Sequence, residues 1–306
     1  MAQDCIIIGG GIAGLQAAIQ LGRYSAYDVL VIDDGVGRST LCRKYHNILG
    51  WPQGISGEEL RRRGREQAES VGIRFTQDRV ITAARNDDGT MLLKGETGNK
   101  YEAATILLAT GVSDRIPDIP GLVTTLGSSV YICPDCDGYE IEGKLTVLMG
   151  AGDSGANMAL ILAERTSMLT YVNHDASPIS PKLMEQLRLE KISYIDEPIA
   201  EIRQGAEGQI EQVVLNNGTV LLAERGFIAF GGNQVHSELA DQLGAKLSPN
   251  GHVESDPRSK QTSIEGVWVA GDVALHAEQA TVAMGEGSIA AIWIHKALRQ
   301  RKGLTK

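Results

Sequence analysis

The pattern G-x-G-x-x-G occurs twice in the chain, and each copy lies between a short apolar run and a segment with the apolar spacing of a helix. Glycines at these places permit a tight strand-to-helix turn and let a pyrophosphate approach the first amides of the helix. Two such units predict an α/β fold of two Rossmann-like, three-layer dinucleotide-binding domains. The glycines of the two copies are Gly9, Gly11, Gly14, Gly150, Gly152 and Gly155.

The first copy has every part of a dinucleotide-binding unit. A strand is predicted at residues 5–8, a helix in LQAAIQLGRY and a second strand in DVLVIDD. This second strand ends in Asp33, about twenty residues beyond the glycines, where an acid accepts hydrogen bonds from ribose hydroxyls. The sequence therefore predicts that a nucleotide binds at the first turn.

The second copy follows the apolar strand LTVLM and precedes the helical segment ANMALILAERT and the strand MLTYV. It indicates either a second dinucleotide site or a turn whose glycines serve packing alone. Between the two copies, TILLATG at 105–111 predicts a buried strand, and SDRIPDIPG at 113–121 predicts a linker because it contains two prolines.

A Cys-x-x-Cys pair, Cys133 and Cys136, is followed directly by Asp137. A four-cysteine zinc site needs a second close pair, but the other cysteines, Cys5 and Cys42, lie singly and far away, so no metal site is expected. A dithiol of this spacing is redox-active when nearby charges tune its thiolates and a partner exchanges electrons with it. The glycine turns indicate where such a partner could bind.

Length and composition restrict the function further. The 306 residues suggest two domains, and the net charge of −9 and the aromatic content of 5% disfavour nucleic-acid binding. No uninterrupted apolar stretch is long enough to span a bilayer, so no membrane association is expected. One thiol pair beside so few other cysteines fits a reducing, cytoplasmic location.

Five motifs in order give the chain a resemblance to the low-molecular-weight thioredoxin reductase family of FAD flavoproteins. They are GGGIAGL, ATG at 109–111, CPDCDG at 133–138, GAGDSG at 150–155 and AGDV at 270–273. The resemblance implies an FAD-binding domain at 1–113 and 240–306 around an inserted pyridine-nucleotide-type domain at 114–239. It also implies a homodimer and a disulfide oxidoreductase activity.

The resemblance implies roles for individual residues. Cys136 would face the flavin as the charge-transfer thiol, Cys133 would exchange with the substrate, and Asp137 would act as acid and base. The residues expected to bind FAD are Gly9, Gly11, Gly14, Asp33, Asn47, Ala109, Gly111, Gly271, Asp272 and Gln279.

The chain departs from the family where NADPH-dependent members carry arginines for the 2′-phosphate. Asn173, His174 and Asp175 stand there, and no arginine or lysine occurs between Arg165 and Lys182. Guanidinium groups are the usual means of gripping a phosphate, so poor NADPH affinity is expected. An acid at this place would favour an unphosphorylated nucleotide, either NADH or a second FAD. The residues of this second nucleotide site would be Gly150, Gly152, Gly155, Asn173 and Asp175.

Charge in the inserted domain agrees with this departure. Residues 114–239 contain 18 acidic against 8 basic residues, and the family's Arg-Gln pair before the last helix is Glu278-Gln279 here. The basic run RRRGR at 61–65 is read first as a solvated helix face, with a docking patch for an acidic redox protein such as ferredoxin as the alternative.

The leading functional hypothesis is an FAD-dependent disulfide/dithiol oxidoreductase whose electron source is NADH, a second flavin or ferredoxin rather than efficient NADPH. Its partner would be a thioredoxin-like protein or a small-molecule disulfide or dithiol. One alternative is a dithiol oxidase that passes electrons to oxygen. Another is a non-catalytic flavin redox sensor.

Overall fold

The computed structural model describes residues 2–275 and 278–303, which divide by contacts into two compact units. Unit 1 contains the chain up to Thr40, the segment Ser56–Ser113 and the chain from Gln234 onward. Unit 2 contains Leu41–Ile55 and Asp114–Asn233. This division differs from the expected boundaries, because the loop at 41–55 belongs to unit 2 and the second link falls at 233/234 rather than at 239/240.

Strands and helices are numbered in chain order. The strands are β1 (Gln3–Ile8), β2 (Val29–Asp33), β3 (Arg74–Gln77), β4 (Val80–Arg85), β5 (Met91–Gly95), β6 (Lys100–Leu108), β7 (Val112–Ser113), β8 (Val130–Tyr131), β9 (Thr146–Gly150), β10 (Leu169–Asn173), β11 (Ser193–Ile195), β12 (Ile199–Gln204), β13 (Ile210–Leu215), β14 (Val220–Leu222), β15 (Arg225–Ala229), β16 (Gln234–Val235) and β17 (Val267–Val269). The helices are α1 (Ile12–Gly22), α2 (Gly57–Ser70), α3 (Leu122–Thr125), α4 (Pro134–Asp137), α5 (Gly152–Ala163), α6 (Pro181–Leu189), α7 (Glu238–Gln242) and α8 (Ala280–Arg301).

The main sheet of unit 1 has the order β3-β2-β1-β6-β5-β4. Strands β3, β2, β1 and β6 are parallel, and the C-terminal part of β6 also pairs in parallel with β17. Its N-terminal part instead pairs antiparallel with β5, so one long strand serves both a Rossmann-type sheet and an antiparallel extension. The strand predicted at 105–111 corresponds to the end of this strand as far as Leu108, and residues 109–111 lie beyond it.

Alternate residues of β1 enter two separate cores, which makes unit 1 three-layered. Cys5 and Ile7 pack with the small residues of α1 and α8, and Ile6 and Ile8 pack with apolar residues of β4 and β5. This arrangement explains the uninterrupted apolar run of β1, because a parallel strand covered on both faces has no polar side.

Unit 2 repeats the same plan. Its parallel sheet has the order β11-β10-β9-β15-β8, and a separate antiparallel sheet has the order β12-β13-β14. In the central strand, Leu148 packs with α5, whereas Val147 and Met149 pack with apolar residues of β12 and β13. The expected α/β fold of two Rossmann-like domains is confirmed.

A short ribbon within unit 1 explains the position of the second link. Strands β7 and β16 pair antiparallel, with Ser113 opposite Gln234 and Val112 opposite Val235. The backbone N–H of His236 also donates to the Gly111 carbonyl over 3.0 Å. These contacts draw residues 234–239 into unit 1.

Helix α2 begins directly after Ser56. The Ser56 side chain caps the helix by accepting a hydrogen bond from the Glu59 N–H over 3.1 Å. Among the described residues, no helix has the length and apolar character needed to span a bilayer.

Candidate active site

The first glycine turn is tightly packed on two sides and open on the third. A Cβ at Gly9 would overlap the Ala109 carbonyl, and one at Gly14 would overlap the Gly9 carbonyl. At Gly11, the N-cap residue of α1, no heavy atom of the described chain outside its immediate neighbours lies within 4 Å of such a Cβ. The turn therefore leaves space where a pyrophosphate would meet the helix N-terminus, so these residues fit a dinucleotide such as FAD.

Asp33 lies beside this turn at the end of β2. Its Oδ1 accepts a hydrogen bond from the Gly10 N–H over 2.9 Å, and its Oδ2 pairs with Arg61 Nη2 over 2.9 Å. Each carboxylate oxygen accepts more than one hydrogen bond, so Asp33 can still accept from ribose hydroxyls.

The basic run at 61–65 is therefore not a uniform solvated face. The side chain of Arg61 is only 11% exposed, whereas those of Arg62, Arg63 and Arg65 are about half exposed and form ion pairs with glutamates of the same helix. Arg61 lies about one helical turn before Gly64, and a Cβ at Gly64 would lie 3.2 Å from Leu15 Cδ1 of α1. Arg61 is therefore on the inner side of α2, close to Gly64.

Gly271 and Asp272 follow β17, as the AGDV motif predicts. The Gly271 N–H donates to the buried carboxylate of Glu286 over 3.0 Å, and Lys260 neutralises that carboxylate over 2.6 Å. Asp272 forms an ion pair with Arg38 over 3.2 Å. Arg38 follows β2 and Asp272 follows β17, so this ion pair joins an N-terminal and a C-terminal segment of unit 1.

Gln279 is the N-cap residue of α8, and its neighbour Glu278 contacts two side chains that are distant in sequence. Glu278 pairs with Arg38, and His252 Nε2 lies 3.5 Å from Glu278 Oε1. The negative charge that replaces the family's arginine is thus offset by Arg38. Sequence reasoning did not identify Arg38 or His252, because no local motif marks them.

Ala109 and Gly111 follow β6 next to the first turn. The Ala109 N–H donates to the Ile8 carbonyl over 2.8 Å, which continues the pairing of the two strands. Gly111 has a φ of +71°, a left-handed conformation that favours glycine. The side chain of His236 lies beside this segment, with its Nε2 2.7 Å from Ser113 Oγ.

Asn47 lies in the loop that belongs to unit 2. Its side chain is exposed, and the loop is closed by pairing of Tyr45 with Ile55. Asn47 therefore belongs to the unit that contains Cys133, whereas the other residues expected to bind FAD belong to unit 1.

Cys133 and Cys136 form a disulfide, with Cα atoms 5.3 Å apart. Cys133 is the N-cap residue of the short helix α4, and Pro134 follows at its first position. The Cys136 N–H donates to Cys133 Sγ over 3.2 Å. A backbone donor directed at this sulfur would stabilise a Cys133 thiolate after reduction.

Asp137 stands at the end of the same helix. Burial, together with the negative charge of Glu140, raises the pKa of its carboxyl to about 7. Such a group gains and loses a proton near neutral pH, as an acid–base residue must.

Burial disfavours the thiolate form of the remaining cysteines. Burial raises the pKa of the Cys5 thiol to about 12, and burial together with the charge of Asp137 raises that of Cys42 to about 12. Both thiols stay protonated, and it is the thiolate that exchanges with disulfides.

The second glycine turn is covered by the chain. Gly152 has a φ of +49°, and a Cβ there would lie 3.0 Å from the Pro178 carbonyl oxygen and 3.1 Å from Ser177 Cβ. The Gly152 N–H donates to Asn173 Oδ1 over 2.9 Å, and the Gly152 carbonyl accepts from Tyr171 Oη over 2.9 Å. Unlike Gly11, Gly152 has protein atoms close to the position of a Cβ, and its N–H is already bonded to a side chain.

The other glycines of the second turn are required for packing. A Cβ at Gly155 would overlap the Tyr171 ring, and one at Gly150 would lie 2.7 Å from the Ala229 carbonyl oxygen. These contacts account for both glycines without a ligand.

Asn173 is fully engaged within unit 2. Its side chain is buried, and its Nδ2 lies 2.9 Å from the Ser177 carbonyl and 2.9 Å from Asp196 Oδ1. His174 Nδ1 likewise accepts from the Ile199 N–H over 2.9 Å.

Asp175 has a cationic partner that sequence reasoning did not find. Arg115 Nη1 lies 2.8 Å from Asp175 Oδ2 and 3.3 Å from the Phe230 carbonyl oxygen. Arg115 comes from the predicted linker, so no count of cations near Asp175 in the sequence could reveal it. The one guanidinium that the described chain brings to Asp175 is thus neutralised by that carboxylate.

Comparisons with known proteins agree with this architecture. Residues 3–287 match the family described as pyridine nucleotide-disulphide oxidoreductase. A thioredoxin reductase of Rickettsia bellii is 30% identical over 96% of this chain and 98% of its own. The structure of a thioredoxin reductase from Streptococcus pyogenes superposes with a TM-score of 0.86 at 26% identity, covering 98% of this chain and 99% of that one.

The atypical thioredoxin reductase TRi from Desulfovibrio vulgaris Hildenborough is 30% identical, with a TM-score of 0.55 over 98% of this chain and 99% of its own. The family match, the two Rossmann-type units and the Cys133–Cys136 disulfide point to the same chemistry. The chain therefore belongs to the pyridine nucleotide-disulphide oxidoreductase family, as a low-molecular-weight, thioredoxin reductase-like, FAD-dependent disulfide oxidoreductase.

Proposed function

We propose that this oxidoreductase exchanges electrons between FAD and a disulfide or dithiol through Cys133 and Cys136, with an electron source other than efficient NADPH. The difference between the two glycine turns carries the proposal. Gly11 is open, whereas Gly152 is covered by Ser177 and Pro178. One turn is suited to a dinucleotide, and the other is filled by its own chain.

FAD would supply a carrier for two electrons. The chain's part is thiol–disulfide exchange, in which a thiolate attacks one sulfur of a disulfide and the other sulfur leaves as a thiolate. When the reduced pair reduces a substrate, the Cys133–Cys136 bond forms, the substrate bond breaks, and the substrate takes up two protons. Asp137 would provide one of these protons, since its pKa of about 7 keeps much of it protonated at neutral pH.

Three features near the second turn support weak NADPH use. Asn173 and His174 are engaged in backbone contacts, and Arg115 is neutralised by Asp175. A charge-assisted contact to a phosphate contributes roughly 1.5–3 kcal/mol, so the loss of two or three weakens binding by about three orders of magnitude or more. Closure of the turn would add to this loss, because the Gly152 N–H is already bonded to Asn173 and residues 177–178 lie beside this glycine.

The closed second turn also separates the other possible electron sources into those that need this turn and those that do not. NADH or a second FAD at Gly150, Gly152 and Gly155 would require displacement of the segment at 177–178. Reduced ferredoxin, or a dithiol substrate itself, would not use this turn. These two sources are therefore favoured.

A dithiol oxidase is the second candidate, and the closed turn favours it as well. In that reaction a substrate dithiol loses two electrons and two protons to become a disulfide, and dioxygen accepts them to become hydrogen peroxide. A redox sensor without turnover would differ from both enzymes. Anaerobic dithiothreitol should bleach the flavin of an enzyme and leave that of an uncoupled sensor oxidised.

The names of the relatives support a substrate class. Several relatives are named thioredoxin reductases, and one from Mycobacterium leprae is a thioredoxin reductase/thioredoxin fusion. A thioredoxin-like protein or a small-molecule disulfide or dithiol is therefore the proposed partner. A homodimer in the cytoplasm is the proposed state, and light scattering of the purified protein tests the oligomeric state.

Anaerobic stopped-flow mixing tests the electron source. The flavin should bleach rapidly with dithionite and slowly with micromolar NADPH, while reduced ferredoxin and a dithiol serve as the alternative donors. The variant Asp175→Ala separates charge from closure, because it frees Arg115 from its carboxylate and leaves Ser177 and Pro178 in place. Slow reduction by NADPH in this variant supports closure, and fast reduction of the unmodified protein by NADPH overturns the proposal.

A further inference from the structure

Arg61 has a buried donor that the folded chain leaves without a partner. Its Nη2 pairs with Asp33 Oδ2 over 2.9 Å, and its side chain is only 11% exposed. Its Nη1 is buried and has no hydrogen-bond partner within the described part of the chain. Buried polar atoms are satisfied in nearly all folded proteins, so an orphan donor beside an open turn indicates a missing acceptor.

The position of Nη1 indicates which acceptor is missing. A Cβ at Gly37 would lie 3.1 Å from Nη1, so this nitrogen faces the loop that directly follows Asp33. In a Rossmann unit, the acid at the end of the second strand binds the ribose of the adenosine half. Arg61 is thus placed at the adenosine end of the first site rather than at the flavin end.

The site also has the charge balance that such a contact needs. Asp33 bears a negative charge beside the turn that would hold an anionic pyrophosphate, and Arg61 offsets this charge. A guanidinium presents several donors in a fixed plane, so one nitrogen can hold Asp33 while another contacts a ligand.

We propose that Arg61 is an FAD-binding residue, whose Nη1 donates to an acceptor atom on the adenosine half while its Nη2 orients Asp33. The proposal rests on the assignment of FAD to the first glycine turn. It assigns to Arg61 a specificity role, because FMN lacks the adenosine half and would gain nothing from this contact.

Binding to the full-length apoprotein tests the proposal, with ADP as a probe that carries the adenosine half alone. Arg61→Met should weaken ADP and FAD binding by a similar factor of about ten to a hundred, because a charge-assisted hydrogen bond is lost. FMN binding should be unchanged, and FAD should leave the holoprotein faster in the variant. Arg62→Met is the matched control, because Arg62 is exposed on the same helix.

The melting temperature of each apoprotein separates binding from folding. Arg61→Met with a lowered melting temperature but ADP affinity within twofold of the unmodified protein would assign Arg61 a structural role and overturn the proposal. If that variant does not fold, Arg61→Lys decides by the same criterion, because lysine keeps a cation beside Asp33 but presents one nitrogen. Gly11→Val is measured in parallel, since retention of ADP and FAD there would show that the site assignment itself is wrong.

Discussion

The side chain of Asn173 accepts a hydrogen bond over 2.9 Å from the backbone N–H of Gly152, the residue where a pyrophosphate would bind in a functional dinucleotide turn. The side-chain Nδ2 of Asn173 also donates a hydrogen bond to the backbone carbonyl of Ser177. One side chain thereby satisfies the glycine turn and fixes the segment that covers it. The second glycine turn is thus held in place by contacts within unit 2.

Asn173→Ala should destabilise unit 2. The substitution leaves the Gly152 N–H without its acceptor and removes the contact to Asp196, and a buried polar group without a partner costs about 1–3 kcal/mol. Thermal or urea unfolding measures the loss. Asn157→Ala is the control, since Asn157 is exposed on α5 and should change the free energy of unfolding little; equal losses in the two variants would contradict the role of Asn173.

Gly11→Val should remove FAD without unfolding the protein. Apart from its immediate neighbours, no heavy atom of the described chain lies within 4 Å of a Cβ at Gly11, so valine fits the apoprotein. Its side chain would nevertheless enter the space expected for the pyrophosphate. Flavin absorbance per chain and the melting temperature measure the two effects. Gly285→Val, on the exposed side of α8, should retain both flavin and fold. A flavin-replete Gly11→Val protein would place the cofactor elsewhere.

Asp137→Asn should remove a pH-dependent limb from disulfide reduction. The carboxyl has a pKa of about 7, so the unmodified protein should lose rate as the pH rises above 7 and the proton donor ionises. Rapid-mixing measurements with a small disulfide from pH 5 to 9 resolve the limb. Asp135→Asn, at an exposed residue of the same helix, should keep it. A limb that persists in Asp137→Asn must belong to another group.

The same pKa predicts how Asp137 affects stability. Because its folded pKa is raised above 3.8, ionisation is less favourable in the folded protein than in the unfolded chain. The resulting destabilisation is absent below about pH 4, develops as the pH rises towards 7 and is complete above that value. Asp137→Asn should therefore raise the free energy of unfolding more at pH 8 than at pH 4. Asp135→Asn should show no such difference between the two pH values.

Asp78 should stabilise unit 1 above pH 4. Its buried carboxylate accepts hydrogen bonds from Tyr101 Oη and Thr97 Oγ1, both over 2.7 Å, which hold its pKa well below the usual range. A depressed folded pKa gives stability that is present above the unfolded pKa and is lost as the pH falls through the folded value. Asp78→Asn should cost about 1–3 kcal/mol at neutral pH and less below pH 4. Urea unfolding at both pH values, with exposed Asp87→Asn as control, tests this difference.

The fold could be predicted because its signals are local. Strand β1, helix α1 and strand β2 follow one another with apolar periodicity, and Gly9 and Gly14 mark the turn between them. The disulfide was equally accessible, since Cys133 and Cys136 are close in sequence and the motif has a fixed context.

The long-range contacts at the two glycine turns could not be predicted, because they join residues that are distant in sequence. Arg61 was read with its exposed neighbours, although Gly57, Gly64 and Ala68 recur at helical spacing and place it near the inner face of α2. Arg115, the partner of Asp175, precedes it in the chain by three strands, β8, β9 and β10. Closure of Gly152 depends on the path of a loop, which no residue pattern specifies.

The ribbon of β7 and β16 has a consequence for the segment that lies between these two strands in the chain. Because Ser113 lies opposite Gln234, the chain leaves unit 1 and returns to it at neighbouring positions of one hydrogen-bonded ladder. The two ends of residues 114–233 are therefore held at a fixed spacing by unit 1 itself, whatever that segment does between them.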